Sequence, residues 1–197
     1  MSGASRAPAG RAGALPRQVR IVGGRWKRST LPVPNRPGLR PTPQRVRETL
    51  FNWLGQDLTG WVCLDAFAGT GALGFEAASR GAAQVVMLER DTTVLAALRA
   101  AKARLQATAV SIERADALAW MRSASPRFDL VALDPPFDEP RLLESAIEAA
   151  AHLVVGDGFI YAESHEPPGS LPPGFALWRH DRAGAVCFHL LRRNSSG

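Results

Sequence analysis

An Asp-Pro-Pro-Phe run at 134–137 follows the apolar stretch FDLVAL and stands 65 residues beyond Gly69, the first glycine of the turn Gly69-Thr70-Gly71-Ala72-Leu73-Gly74. An acid, two prolines and an aromatic at a strand tip suit a flat ring that carries an amine. The Asp134 carboxylate and the Pro135 carbonyl can each accept a hydrogen bond from one amine hydrogen, and Phe137 can stack on the ring. A guanine exocyclic amine is a poor nucleophile because its lone pair is delocalised, and two such bonds favour a pyramidal nitrogen. Pro135 and Pro136 stiffen the turn and fix where the acceptors point. Orienting two bound reactants can contribute ~7 to 11 kcal/mol in favourable cases. No strong base is needed, since the alkylated nitrogen becomes acidic and can lose its proton to Asp134 or to water.

The glycine turn supplies the other half. G-x-G-x-x-G directly after a strand and before a helix lets a ligand approach the backbone, but alone it fits nicotinamide and flavin enzymes too. Its acidic companions narrow the choice. Asp65 ends the preceding strand, four residues before Gly69, where a carboxylate can face a cationic methionyl group. Glu89 closes the second strand, in position to accept from both ribose hydroxyls of an adenosine. Asp116 follows the third and can meet an adenine amino group, with backbone groups of Asp116 or Ala117 as alternatives. A pyrophosphate prefers helix N-terminal amides free of nearby negative charge, whereas a sulfonium tolerates Asp65. S-adenosylmethionine is therefore the expected cofactor, held by Asp65, Phe67, Gly69, Gly71, Glu89, Arg90, Asp116 and Ala117, with Asp134, Pro135 and Phe137 as the catalytic set.

These loops meet only if the chain alternates strand and helix, and from Trp61 it does. WVCLDAF leads to a helix ending at Arg80 before Gly81; QVVMLE leads to a helix from about Thr92; VSIER, a short helix after Asp116, FDLVALD and a helix over Arg141 to Leu153 follow. This rhythm predicts a mainly parallel sheet covered by helices. Gly158 to Ala162, Phe175 to His180 and Val186 to Arg192 add three strands, the last two joined as an antiparallel hairpin. Upstream, Gln18 to Val22 and Arg25 to Val33 read as a hairpin around Gly23-Gly24. Thr42 and Pro43 read as N-cap and first turn of a helix to about Leu54, with Val46, Leu50, Phe51 and Leu54 on one face and Arg45 and Arg47 on the other.

Charge is distributed unevenly. Residues 1–47 hold 11 of the 24 Lys and Arg and no acid, so the remaining 13 share residues 48–197 with all 18 Asp and Glu: an arm of +11 on a body of −5. A polyanion would be drawn to such an arm, and Arg20, Arg25, Lys27, Arg28, Arg40, Thr42 and Arg45 are the expected RNA-binding residues. Trp26, flanked by Arg25 and Lys27, is the aromatic best placed for base stacking. No apolar run approaches the ~20 residues a membrane helix needs. Residues 1–17 are basic and lack the apolar core of a secretory signal, so they are expected to be a disordered tail and the protein cytoplasmic. Cys63 and Cys187 are expected to be inert thiols, and the four histidines show no metal-ligand spacing.

RIVGGRWKRSTLPVP, RPTPQRVRETLFNWL, LDAFAGTGALGFEAASRGA and DPPF resemble the bacterial small-subunit ribosomal RNA guanine-N2 methyltransferase family, from about Arg20 through Arg192. The resemblance implies an α/β, Rossmann-like class I methyltransferase fold: a mainly parallel seven-stranded sheet with an antiparallel last strand, helices on both faces and a small basic β-hairpin extension. It divides the chain into the tail (1–17), the hairpin and loop extension (18–41) and the methyltransferase domain (42–197). It also implies a monomer whose substrate is a guanine of 16S rRNA on a partly assembled small subunit, with the Arg40-Pro41-Thr42 turn beside the active site. One departure is Ala101, where relatives often carry Asn. Methylation of DNA adenine is the alternative, since D-P-P plus an aromatic serves that chemistry, although the roughly 20 residues after Asp134 leave little room for a target-recognition region. An oxidoreductase and a non-catalytic RNA-binding protein are the competitors from other classes.

Overall fold

Short apolar runs bounded by glycine and acidic residues become strands buried on both faces. In the computed structural model, which describes residues 17–125, 127–136, 140–166 and 169–194, β1 (Gln18–Arg20) and β2 (Thr30–Pro32) form a small antiparallel ribbon. Then follow α1 (Gln44–Trp53), β3 (Val62–Asp65), α2 (Ala72–Ser79), β4 (Gln84–Glu89), α3 (Thr92–Leu105), β5 (Val110–Arg114), α4 (Ala117–Ser123), β6 (Phe128–Leu133), α5 (Pro140–Leu153), β7 (Val154–Ser164), β8 (Phe175–Ala183) and β9 (Val186–Arg193). The tail expected over 1–17 lies, apart from Arg17, outside the described residues.

The seven strands of the main sheet lie in the order β5-β4-β3-β6-β7-β9-β8. β3, β4, β5, β6 and β7 pair in parallel, whereas β9 is antiparallel to both β7 and β8. The expected architecture, antiparallel last strand included, is the observed one. Two cores flank the sheet. On one face the ribbon, α1, α2 and α3 enclose Val19, Leu31, Leu50, Phe75, Met87 and Leu98; on the other α4 and α5 enclose Leu64, Met121, Val131, Leu133, Ile147 and Ile160. Ala101 is buried in the first core, where a small residue lets α3 lie close to the sheet.

Three local expectations need correcting. The ribbon does not turn at the glycine pair: its strands are three residues long and the loop Ile21 to Ser29 folds down onto α2. There Val22 and Gly23 donate amide hydrogens to the buried Glu76 carboxylate at 2.9 and 2.7 Å, and Arg25 and Trp26 donate to the Ser79 carbonyl and hydroxyl. Gly24 fits because its backbone is left-handed and an added Cβ would stand 1.8 Å from the Ser79 carbonyl oxygen. Second, Pro43 occupies the N-cap of α1 and no side chain caps the helix, because the Thr42 hydroxyl is turned toward Asp134. Third, Arg47 is not on the outer face of α1. It is 2% exposed and paired with Glu76 at 3.2 Å, while Arg45 is exposed.

Candidate active site

Neighbouring parallel strands β3 and β6 run with Asp65 level with Ala132, so the glycine turn and the Asp134 turn leave the same edge of the sheet side by side. From β3 the chain proceeds laterally to β4 and β5 and then resumes at β6 on the other side of β3. Such a reversal opens the crevice in which α/β sheets bind ligands.

The glycine turn is shaped for backbone approach. Gly69 and Gly71 have φ of +50° and +76°, and a Cβ on Gly71 would lie 2.7 Å from Leu98 and Phe75. Asp65, 3% exposed, braces the turn from beneath: its Oδ2 accepts from the Gly74 amide at 2.9 Å and the Phe67 amide also bonds it. Burial, opposed by the Gly74 amide and reinforced by the charges of Asp134 and Glu89, pushes its carboxyl up to about 7. A carboxyl so disposed gains from a neighbouring cation, which fits a sulfonium and not a pyrophosphate.

Glu89 is also held by the backbone. Its Oε2 accepts from Gly69 N at 3.1 Å and its Oε1 from Arg90 N at 2.7 Å and Asp91 N at 2.8 Å. A carboxylate has about four acceptor positions, so these three amides leave acceptor capacity on Oε2. Asp116 is exposed at the N-cap of α4, accepting from Ala119 N at 2.9 Å, and Ala117 behind it is buried. Phe67 is half-buried against the second core and Arg90 is exposed.

A proline-broken strap between β2 and α1 crosses this edge. Arg36 pairs with Asp91 at 3.3 Å and bonds Thr93; the Leu39 side chain lies 3.2 Å from where a Cβ on Gly69 would be; Thr42 Oγ1 donates to Asp134 Oδ2 at 3.3 Å. The strap therefore touches both the glycine turn and the Asp134 turn. Asp134 is half-buried, Pro135 buried and Pro136 exposed; Phe137, the expected stacking residue, lies outside the described residues.

Sequence reasoning missed Glu163. The register pairs Ala132 with Tyr161 and Leu133 with Ala162, so Asp134 stands level with Glu163 on the next strand. Glu163 is 2% exposed, and its Oε1 accepts from the Tyr161 hydroxyl at 2.8 Å. Burial pushes its carboxyl up to about 7 against the hydrogen bonds of Tyr161 and Thr42, with Asp65 adding to the rise. Burial and the Glu163 charge likewise raise Asp134 well above the usual carboxylate range, and burial raises the Tyr161 phenol. The signal was present as an acid inside the apolar run FIYAES, at the end of a strand.

Of the expected RNA-binding residues, Arg20, Arg25, Lys27, Arg28, Arg40 and Arg45 are exposed. Thr42 is buried, and its hydroxyl bonds to Asp134 instead of facing outward. Trp26 is partly buried against the first core. Among the described residues no group of His, Cys, Asp and Glu could hold a metal ion, and no helix is long and apolar enough to cross a membrane. Cys63 is buried and Cys187 half-buried, both free thiols.

The family described as Conserved hypothetical protein 95 matches residues 19–192. The chain belongs to that family. Relatives by sequence include the Escherichia coli K12 protein named Ribosomal RNA small subunit methyltransferase D, 40% identical over 184 residues that cover 91% of this chain and 92% of the relative. The Haemophilus influenzae protein of the same name is 40% identical over 183 residues, covering 88% and 93%. The solved structure of yhhF from Escherichia coli matches with a TM-score of 0.82 at 36% identity, covering 91% of this chain and 99% of that one. HI0767 from Haemophilus influenzae matches with a TM-score of 0.76 at 34% identity, covering 90% and 99%. Family membership thus spans the ribbon, the strap and both loops of the crevice.

Proposed function

We propose that this protein transfers a methyl group from S-adenosylmethionine to the exocyclic N2 of a guanine in 16S rRNA, presented on a partly assembled small ribosomal subunit. The observation that supports the reading is the adjacency of β3 and β6, which brings the glycine turn and the Asp134 turn side by side. The relatives' shared name, which specifies ribosomal RNA of the small subunit, supports the substrate class.

S-adenosylmethionine, when bound, supplies a methyl group made electrophilic by the sulfonium charge. Asp65 and the glycine turn would hold its methionyl part, Glu89 the ribose hydroxyls, and Asp116 or Ala117 the adenine. Asp134 and the Pro135 carbonyl accept the two amine hydrogens of the guanine and turn the nitrogen lone pair toward the crevice. The proton lost after transfer passes to Asp134 or to water. Residues 18–41 would dock the RNA, residues 42–197 carry the chemistry, and the protein acts as a monomer in the cytoplasm.

The test uses purified full-length protein, labelled methyl donor and small-subunit particles from cells lacking this protein. The expected product is N2-methylguanine in 16S rRNA. Asp134→Ala is expected to keep donor affinity by calorimetry while losing about 10²- to 10³-fold in turnover, the scale of a lost transition-state contact. Label appearing on adenine of duplex DNA would favour the DNA alternative, and undiminished turnover by Asp134→Ala would remove that residue from the chemistry.

A further inference from the structure

Asp134 is the carboxylate proposed to meet the target base, yet it does not stand alone. Glu163 is level with it on β7, almost fully buried and held by Tyr161. The Thr42 hydroxyl donates to Asp134 Oδ2 at 3.3 Å and stands beside Glu163, whose charge acts on Asp134. Further groups face the pair: Asp65 at the end of β3 and Arg47 on α1, whose Nε donates to the Thr42 carbonyl at 3.2 Å. Glu89 acts on Asp65.

We propose that Glu163 is a positioning residue for methyl transfer, acting with Thr42 to fix the orientation of the Asp134 carboxyl that receives the target amine. The inference rests on the proposed methyl transfer at Asp134. Its core is a count of hydrogens. A hydroxyl has one hydrogen, so Thr42 cannot donate to Asp134 and Glu163 at once. It can serve both only by donating to one and accepting from the other, which requires one proton on the pair of carboxyls. Two adjacent carboxylates, one buried and one half-buried, cannot both ionise cheaply, so a single shared proton is also the electrostatically favoured state. With that proton in place, Tyr161, Glu163, Thr42 and Asp134 form a continuous chain that ties Asp134 Oδ2 and leaves Oδ1 for the amine. Without Glu163, the Thr42 hydroxyl and Asp134 lose the partner that orients them.

A double-mutant cycle on rRNA methylation tests the idea, with donor affinity and thermal midpoint measured for every variant. Glu163→Ala is expected to lower kcat about tenfold to a hundredfold, the scale of a misplaced reacting group, with donor affinity unchanged. In an Asp134→Asn background the same substitution is expected to cost less than about threefold, because its effect runs through Asp134. Glu163→Gln, which can still accept from Tyr161 and donate to Thr42, is expected to recover most of the activity that alanine loses. Equal losses in the two backgrounds, or a glutamine variant no better than alanine, would overturn the proposal. Should Glu163→Ala fail to fold, Thr42→Val in the same two backgrounds carries the cycle, with additivity again the overturning result. Failure of the parent protein to methylate guanine would refute the underlying function instead, so the two failures are distinguishable.

Discussion

At the scale of the residue, Asp65 and Glu163 are carboxyls kept from water by the fold. Glu163 ionises near 4.5 when exposed and at about 7 here, and Asp65 moves from 3.8 to about 7. Between those limits the folded chain binds more protons than the unfolded one. Their contribution to the unfolding free energy therefore falls as pH rises from 3.8 to about 7, and it is fully present only below the unfolded values. The displacement belongs to Glu163 and Asp134 together and amounts to a few kcal/mol, because each unit corresponds to about 1.4 kcal/mol. Denaturant melts at pH 5 and pH 8 should show this fall in the parent protein and a shallower one in Glu163→Gln, which should be the more stable of the two at pH 8. Identical slopes would mean that Glu163 holds no proton in the native state. A site that costs stability at working pH is the pattern expected where environment is arranged for chemistry.

At the scale of the element, α2 connects the basic ribbon to the crevice. All but one of its eight residues are buried, which is unusual for a helix so short and explains why Glu76 needs so many partners. Its carboxylate takes amides from Val22 and Gly23 and guanidinium groups from Arg47 and Arg80. Arg47 in turn bonds the Thr42 carbonyl, next to the hydroxyl that meets Asp134. Glu76→Ala would leave the buried Arg47 unpaired and two amides without acceptors, at a cost of about 3 to 5 kcal/mol. The expected signs are a lower denaturant midpoint and faster proteolysis within residues 18–33; a loss below about 1 kcal/mol would show that Glu76 is not the anchor. The strand and helix alternation was legible because strands buried on both faces read as unbroken apolar runs and helices end at glycines such as Gly81. The anchor was not legible. Arg47 has the composition of a solvated helix face, and its partner lies 29 residues away, so only the packed structure reveals the pair. Glu163 was hidden for the same reason: its significance comes from standing level with Asp134 on a neighbouring strand, which requires the sheet order. The glycine turn and the Asp-Pro-Pro turn were legible because backbone freedom and rigidity are written in single residues, Gly and Pro.

At the scale of the whole molecule, the charge asymmetry of +11 over residues 1–47 against −5 over the rest becomes a surface in which Arg20, Arg25, Lys27, Arg28, Arg40 and Arg45 are all exposed. None of the six forms an ion pair among the described residues, so their charges are available to a polyanion. The ribbon that carries four of them is fixed to the body through Glu76 and Ser79, so phosphate contacts there would be made by a preorganised surface. Each phosphate neutralised releases counterions, giving a slope of log affinity against log salt of about −0.7 to −0.9 per contact. Changing Arg25, Lys27 and Arg28 together to Glu should therefore weaken binding to small-subunit rRNA and flatten that slope by about 2 to 3. Donor affinity should not change, because none of the three touches the glycine turn. The loss should also be nearly independent of RNA sequence, since phosphate contacts position a substrate without reading it. An unaltered salt slope would mean that the rRNA docks elsewhere on the molecule, and the basic arm would then need another explanation. A flattened slope with methylation still directed to the same guanine would separate the two tasks, with docking assigned to the arm and choice of base to the crevice.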